Sequence, residues 1–163
     1  MVEVKKIEHV LSRRLLTLLA GLMAGCMISQ WLGCLVSYFV IEDSQTAGMV
    51  AHLLIAQMSY YLLGCAFVIL SLSNILIKRG VYQLKAVRMP SLILIFSIAF
   101  SSFLLIPRMD YLRELALQDG MPIMLSPLAN YYAVLNGLTF SLLVIQVVLG
   151  VLITWKLTDT QSP

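Results

Sequence analysis

Residues 127–146 read PLANYYAVLNGLTFSLLVIQ. Small residues recur at every fourth position, Ala129, Ala133, Gly137 and Ser141, which places them on one side of a helix where a second backbone comes close. The same stretch carries Asn130, Asn136, Thr139 and the pair Tyr131-Tyr132, polar for a segment that must cross lipid. Ser126 followed by Pro127 is a helix start signal, an N-cap and then a proline whose missing N–H costs nothing in the first turn. The apolar run continues to Trp155-Lys156, an aromatic and a cation of the kind that sits at a membrane interface.

Composition agrees with that reading. The 163 residues are 60% hydrophobic and only 12% charged, and the mean hydropathy is +0.93. A soluble domain is roughly half apolar and about a quarter charged. The chain therefore reads as one integral membrane domain over residues 1–163. Its net charge of +3 is no nucleic-acid footprint, because the basic residues lie between apolar segments and form no patch. Cys26, Cys34 and Cys65 all fall within apolar runs and read as small packing residues.

Working outward from the last span, three more follow. The expected fold class is all-α, a four-transmembrane-helix bundle with spans at about 15–41, 47–77, 89–106 and 127–155. Residues 1–14 have Val4, Ile7, Val10 and Leu11 at helical spacing, which fits a short surface helix or else a loose tail. The first span holds a longer ladder of small residues, Gly21, Gly25, Ser29, Gly33 and Ser37, and the two ladders are expected to pack against each other. Met23-Ala24-Gly25-Cys26 resembles a lipoprotein cleavage box, but the apolar run continues well past Cys26, so an uncleaved span is expected. Thr46 is the expected cap of the second span. Pro107 is the expected exit of the third, followed by a short amphipathic outer helix that ends near Gly120.

Orientation follows from Lys and Arg in the short connections. Lys5, Lys6, Arg13 and Arg14 precede the first span, and Lys78, Arg79, Lys85 and Arg88 lie between the second and third. The first turn has none, and the segment after Pro107 has only Arg108 and Arg113. Both termini are expected in the cytoplasm, as a multi-pass protein of a bacterial inner membrane.

The spacing Tyr132-x-x-Leu135-Asn136-x-x-Thr139 resembles the aromatic-x-x-Leu-His-x-x-Ser signature in the last helix of a bacterial four-span family, the domain-of-unknown-function family forty-one forty-nine. That family is itself distantly similar to CopD-type copper-resistance membrane proteins. Ala47-Gly48 at the start of span two, and Pro107 followed by Leu112-Arg113, fit the same resemblance. Asn136 stands where the family has histidine, and Thr139 where it has serine. Asparagine is a poor metal ligand and cannot bind haem, which weakens any metal or redox role carried by that position.

The remaining chemistry is sparse. The only histidines are His9 and His52, expected at opposite membrane faces, so they cannot hold a haem between them. A soft-metal site for copper is conceivable from His52, Met49, Met121 and Met124, all on the expected outer side, although methionine is also a common filler of apolar cores. No nucleotide loop, catalytic triad or zinc spacing occurs. No charged residue falls in the central part of any span, which argues against an ion-coupled transporter. Asn136, Thr139 and Gln57 read as an interhelical polar network, with His52 or Ser101 as possible partners across the bundle. The sequence thus points to a non-enzymatic accessory or assembly subunit without cofactor, whose partners are the lipid bilayer and other membrane subunits or a second copy. Copper or small-solute handling is the alternative.

Overall fold

The computed structural model describes the backbone of residues 2–159 and the side chains from Leu11 onward, except Ser44. It consists of α1 (Val2–Val40), α2 (Ser44–Lys78), α3 (Lys85–Phe100), α4 (Ile106–Gln118) and α5 (Ala129–Asp159), with 3₁₀ turns at Tyr82–Leu84 and Ile123–Leu125. Among the described residues there is no strand. Four stretches among the described residues are long and apolar enough to cross a membrane: Leu11–Val40, Gln45–Lys78, Tyr82–Gln118 and Ala129–Asp159. Only 28–39% of each span's most apolar window is buried inside the molecule. The rest is apolar surface such as Leu18, Leu53, Phe96 and Val134, which lipid is suited to cover.

Local chemistry fixes the ends. α2 and α4 both terminate in a left-handed glycine, Gly80 at φ +103° and Gly120 at φ +70°. Around each glycine the chain closes the same pair of bonds. Val81 N–H donates to Leu76 C=O and Gly80 N–H to Ile77 C=O; Met121 N–H donates to Ala116 C=O and Gly120 N–H to Leu117 C=O. These are Schellman closures, which satisfy the last carbonyls of a helix and need a residue that tolerates positive φ.

Two expectations about helix limits change. The N-terminal segment is no separate surface helix, because α1 runs through it unbroken; the side chains of Val4, Ile7, His9 and Val10 lie outside the described residues. The amphipathic segment after Pro107 is present as α4, but it continues α3 in one rod. Proline at this position lacks an N–H and crowds the carbonyl four residues before it. The rod absorbs it with a π-helical turn at Ser101–Leu105, where Ile106 N–H donates to Ser101 C=O. Wide turns of this kind occur as single insertions in α-helices.

The four rods form a ring in which α1 packs on α2 and α5, and α3 packs on α2 and α5. One apolar cluster, centred on Leu16, Met23, Ile69, Leu94, Ile98 and Ile153, fills the half nearer the basic 79–84 connection. Two smaller clusters, around Met109–Leu112–Tyr132 and around Cys34–Ile55–Leu143, fill the opposite half.

α1 and α5 do lie side by side, but the expected ladders are not what joins them. Gly25, Ser29, Ala133, Gly137 and Ser141 are exposed, Ala129 is half-buried, and a Cβ added to Gly25 or Gly137 would meet nothing within 4 Å. Of the first ladder, Ser37 is buried and bonds its own helix at Cys34 C=O, Gly33 looks toward Leu54 of α2, and Gly21 alone comes near α5, at Thr154. The close approach is made elsewhere, by Gly150. A Cβ there would stand 2.8 Å from Met27 Sδ and 3.5 Å from Ala24 Cα. The inner stripe of α5 is Tyr132, Leu135, Thr139, Leu143, Gln146, Gly150, Ile153 and Leu157. Gly137 lies two residues before Thr139, about 200° around the helix, so its ladder looks outward.

Candidate functional site

The turn at 41–43 sets the register of α2. Its N-cap is Asp43, not Thr46. The Asp43 carboxylate accepts from Gln45 N–H at 3.2 Å, from Thr46 N–H at 3.0 Å and from the Thr46 hydroxyl. Those bonds favour the charged carboxylate, and the Thr46 hydroxyl followed by the Thr46 and Gln45 amides holds its pKa below the ordinary value. With the helix started at Ser44, Gly48 comes round to the inner side one turn before His52. A Cβ on Gly48 would touch the phenol oxygens of Tyr38 and Tyr132, both at 3.5 Å.

His52 is then buried, 4% exposed, and its Nδ1 lies 3.2 Å from Oδ1 of Asp110 on α4. Asp110 is followed by Arg113 one turn on, whose Nη2 donates to the same Oδ1 at 2.8 Å. A carboxylate accepts only, so the proton between His52 and Asp110 belongs to Nδ1, and in the neutral ring Nε2 carries the free lone pair. Nε2 of His52 has no hydrogen-bond partner, nor has Nη1 of Arg113. The His52 ring lies against Tyr132, centroids 6.4 Å apart and planes at 40°. The end of the bundle therefore holds an imidazole, a carboxylate, a guanidinium and two phenols contributed by four different helices.

Two spaces flank His52. On one side is a groove of about 450 Å³ between α2 and α4, with Thr46, Asp110 and Arg113 at its polar end and Met49, Val50, Leu53, Ala56 and Ile106 as apolar walls. On the other is a void of about 20 Å³ among α1, α2 and α5, lined by Cys34, Tyr38, Ala51, His52, Ile55, Asn136, Thr139, Phe140 and Leu143.

No family model, curated protein or solved structure matches the chain.

The residues singled out as a soft-metal set are only partly gathered. Met49 shares the groove with His52. Met121 and Met124 sit exposed on the return between α4 and α5 and line neither space around His52. Met109 is fully buried, with its sulfur 3.6 Å from the Thr139 hydroxyl oxygen. Among the described residues no three His, Cys, Asp or Glu side chains come together as a metal cluster.

The expected polar network divides. Asn136 and Thr139 do face His52, across the small void. Thr139 is buried and donates to Leu135 C=O at 2.9 Å. Gln57 is exposed on the outer face of α2 and belongs to no such network. The interhelical bonds deep in the bundle come from elsewhere. Gln146 Nε2 reaches Ser101 Oγ at 3.2 Å and Ser97 Oγ at 3.4 Å, and Ser102 donates to Ser59. Sequence reading missed the His52–Asp110 pair because its members are 58 residues apart. The available signal was Asp110 itself, flanked by the buried Met109 and Leu112 on a helix whose Arg108 and Glu114 point outward.

Proposed function

We propose that this chain is a non-enzymatic accessory or assembly subunit of a membrane complex, resident in a bacterial cytoplasmic membrane. The observation that carries the reading is the outward direction of its small-residue ladders. Gly25 and Ser29 on α1, and Ala133, Gly137 and Ser141 on α5, leave the bundle's own core and offer close backbone approach to another membrane helix. Gln57 supports it, because an amide on the outer face of a span gains from a hydrogen-bonding partner on a neighbouring helix. The test is extraction from native membranes in mild detergent followed by a native gel. Gly25→Leu with Gly137→Leu should leave the thermal unfolding of the isolated chain unchanged and shift it out of any larger assembly. Complexes that persist unchanged in that double variant would end the proposal.

Copper or small-solute handling has one supporting observation, that His52 and Met49 share a groove. Cu(I) titration of the purified protein tests it. Binding no stronger than in a variant with His52→Ala and Met49→Ala removes it.

A further inference from the structure

A groove of about 640 Å³ runs along the outside of the bundle between α1 and α5. It lies in the half nearer the basic 79–84 connection. Gly21, Ala24 and Gly25 form its floor, Val151 and Trp155 one wall, and Asp159 its end. A Cβ added at Gly25 would meet nothing within 4 Å, and Trp155 is 69% exposed. Charge is arranged along the same surface. Arg14 is exposed and precedes Gly21 by seven residues and Gly25 by eleven, which puts all three on one stripe of α1. Asp159 is exposed on α5. The two helices run antiparallel and approach at Gly21 and Thr154. At 1.5 Å per residue Arg14 lies about 10 Å and Asp159 about 8 Å beyond that approach, so the opposite charges stand at nearly one depth. Among the described residues neither forms a salt bridge.

We propose that this groove receives α1 of a second copy of the chain, in a parallel dimer whose twofold axis runs along the membrane normal. The proposal rests on the reading of the chain as an assembly subunit and names its partner. A twofold contact brings one surface against itself, so that surface must hold both halves of every match. This one does. The groove is its concave half, and the exposed edge of α1 at Leu18 and Leu22 is its convex half. Gly21-x-x-x-Gly25 is the spacing on which two membrane helices cross with their backbones close. With α1 of each copy crossing the other there, Arg14 of each reaches the partner subunit's Asp159, and the pair forms twice. An antiparallel neighbour would carry its Arg14 to the opposite membrane face. A lipid chain filling the groove has no use for opposite charges in register. Exposed ion pairs are weak and screened by salt, so the close packing holds the dimer and the charges select its direction and its partner.

The experiment is thiol cross-linking of the full chain in native membranes, with Cys26, Cys34 and Cys65 replaced by alanine. A short bifunctional maleimide should join two copies through Leu18→Cys. It should not do so through Tyr60→Cys, which lies on the far side of the ring beside Phe103. Gly25→Leu, which has room within its own chain, should abolish the Leu18→Cys cross-link. Arg14→Asp and Asp159→Arg should each lose it as well, because each sets like charges opposite one another twice. The two reversals together should restore it, and restoration also shows that the reversed chains fold. Equal cross-linking at both cysteines overturns the proposal. So does a Leu18→Cys cross-link that survives Gly25→Leu, or a double reversal that behaves no better than the singles. Assemblies on a native gel that vanish in Gly25→Leu with Gly137→Leu, while Leu18→Cys never joins two copies, remove the second copy as partner and leave the assembly role standing.

Discussion

Gly137 and Gly150 belong to one helix and behave oppositely. A side chain at 137 enters open space, whereas one at 150 runs into Met27 and the α1 backbone at Ala24. Gly150→Leu is therefore expected to lower stability by about 1–3 kcal/mol through overpacking. Gly137→Leu is expected to stay within about 0.5 kcal/mol of wild type. Thermal unfolding in detergent checks both, and equal effects would mean that α1 and α5 do not meet as described. At the other end of the bundle, Asp110→Ala removes the acceptor from a buried Nδ1 and the counter-charge from Arg113. Leaving a buried donor unpaired costs about 1–3 kcal/mol, and the low end applies here because the Asp110 side chain is 38% exposed and partly screened. His52→Ala measured alone and together with Asp110→Ala isolates the pair, since coupled losses fall short of additive.

Among the elements, α2 depends on a cap and on spacing that sequence revealed only in part. Asp43→Ala should fray the first turn, seen as faster amide hydrogen exchange at Gln45 and Thr46. The same cap is pH-sensitive, with a definite sign. The Asp43 carboxyl has a lowered pKa in the folded chain, so its stabilising effect is fully present above the unfolded value of about 3.9 and is lost as pH falls through the folded value. The protection of those two amides, taken relative to their intrinsic exchange rates, should fall in acid in wild type and show no such extra step in Asp43→Ala. The existence and order of the four spans were legible because long apolar runs and glycine stops are local signals. Which face of each span turns inward was not. In water an amphipathic stripe marks the buried side, but here lipid and core are equally apolar, so hydropathy cannot tell them apart. The small-residue repeat filled that gap wrongly at Gly25 and Gly137. The inner stripe of α5 was carried instead by Thr139, Gln146 and Gly150, which repeat at steps of seven and four. Asn136 and Thr139 were found because two polar residues three apart must share a side. Of the partners expected across the bundle, His52 lines the same void without a bond to either, and Asp110 was missed because long-range pairing leaves no mark on local pattern.

For the whole molecule, the ring of rods places the 41–43 turn and the 119–128 return at one end and the basic 79–84 connection at the other. With Lys78, Arg79, Lys85 and Arg88 flanking that connection, its end should face the cytoplasm. Single cysteines at Glu42 and at Gln83, in a chain otherwise free of cysteine, should react with a membrane-impermeant maleimide from opposite sides of sealed cells and inverted vesicles; labelling of both from one side would contradict the bundle's topology. The π turn in the third rod has a reach beyond the proline that it accommodates. One residue above the regular count turns everything after it by about 100° around the axis. Ser97 before it and Ser101 at its start meet Gln146, and Asp110 after it, held by Arg113, meets His52. The rod thus works as two helices cut to different phases and joined without a loop. Deleting a single residue from 103–105 should restore an ordinary helix, keep the Gln146 contacts and swing Asp110 away from His52. That is a change of angle alone, made without altering any side chain that takes part.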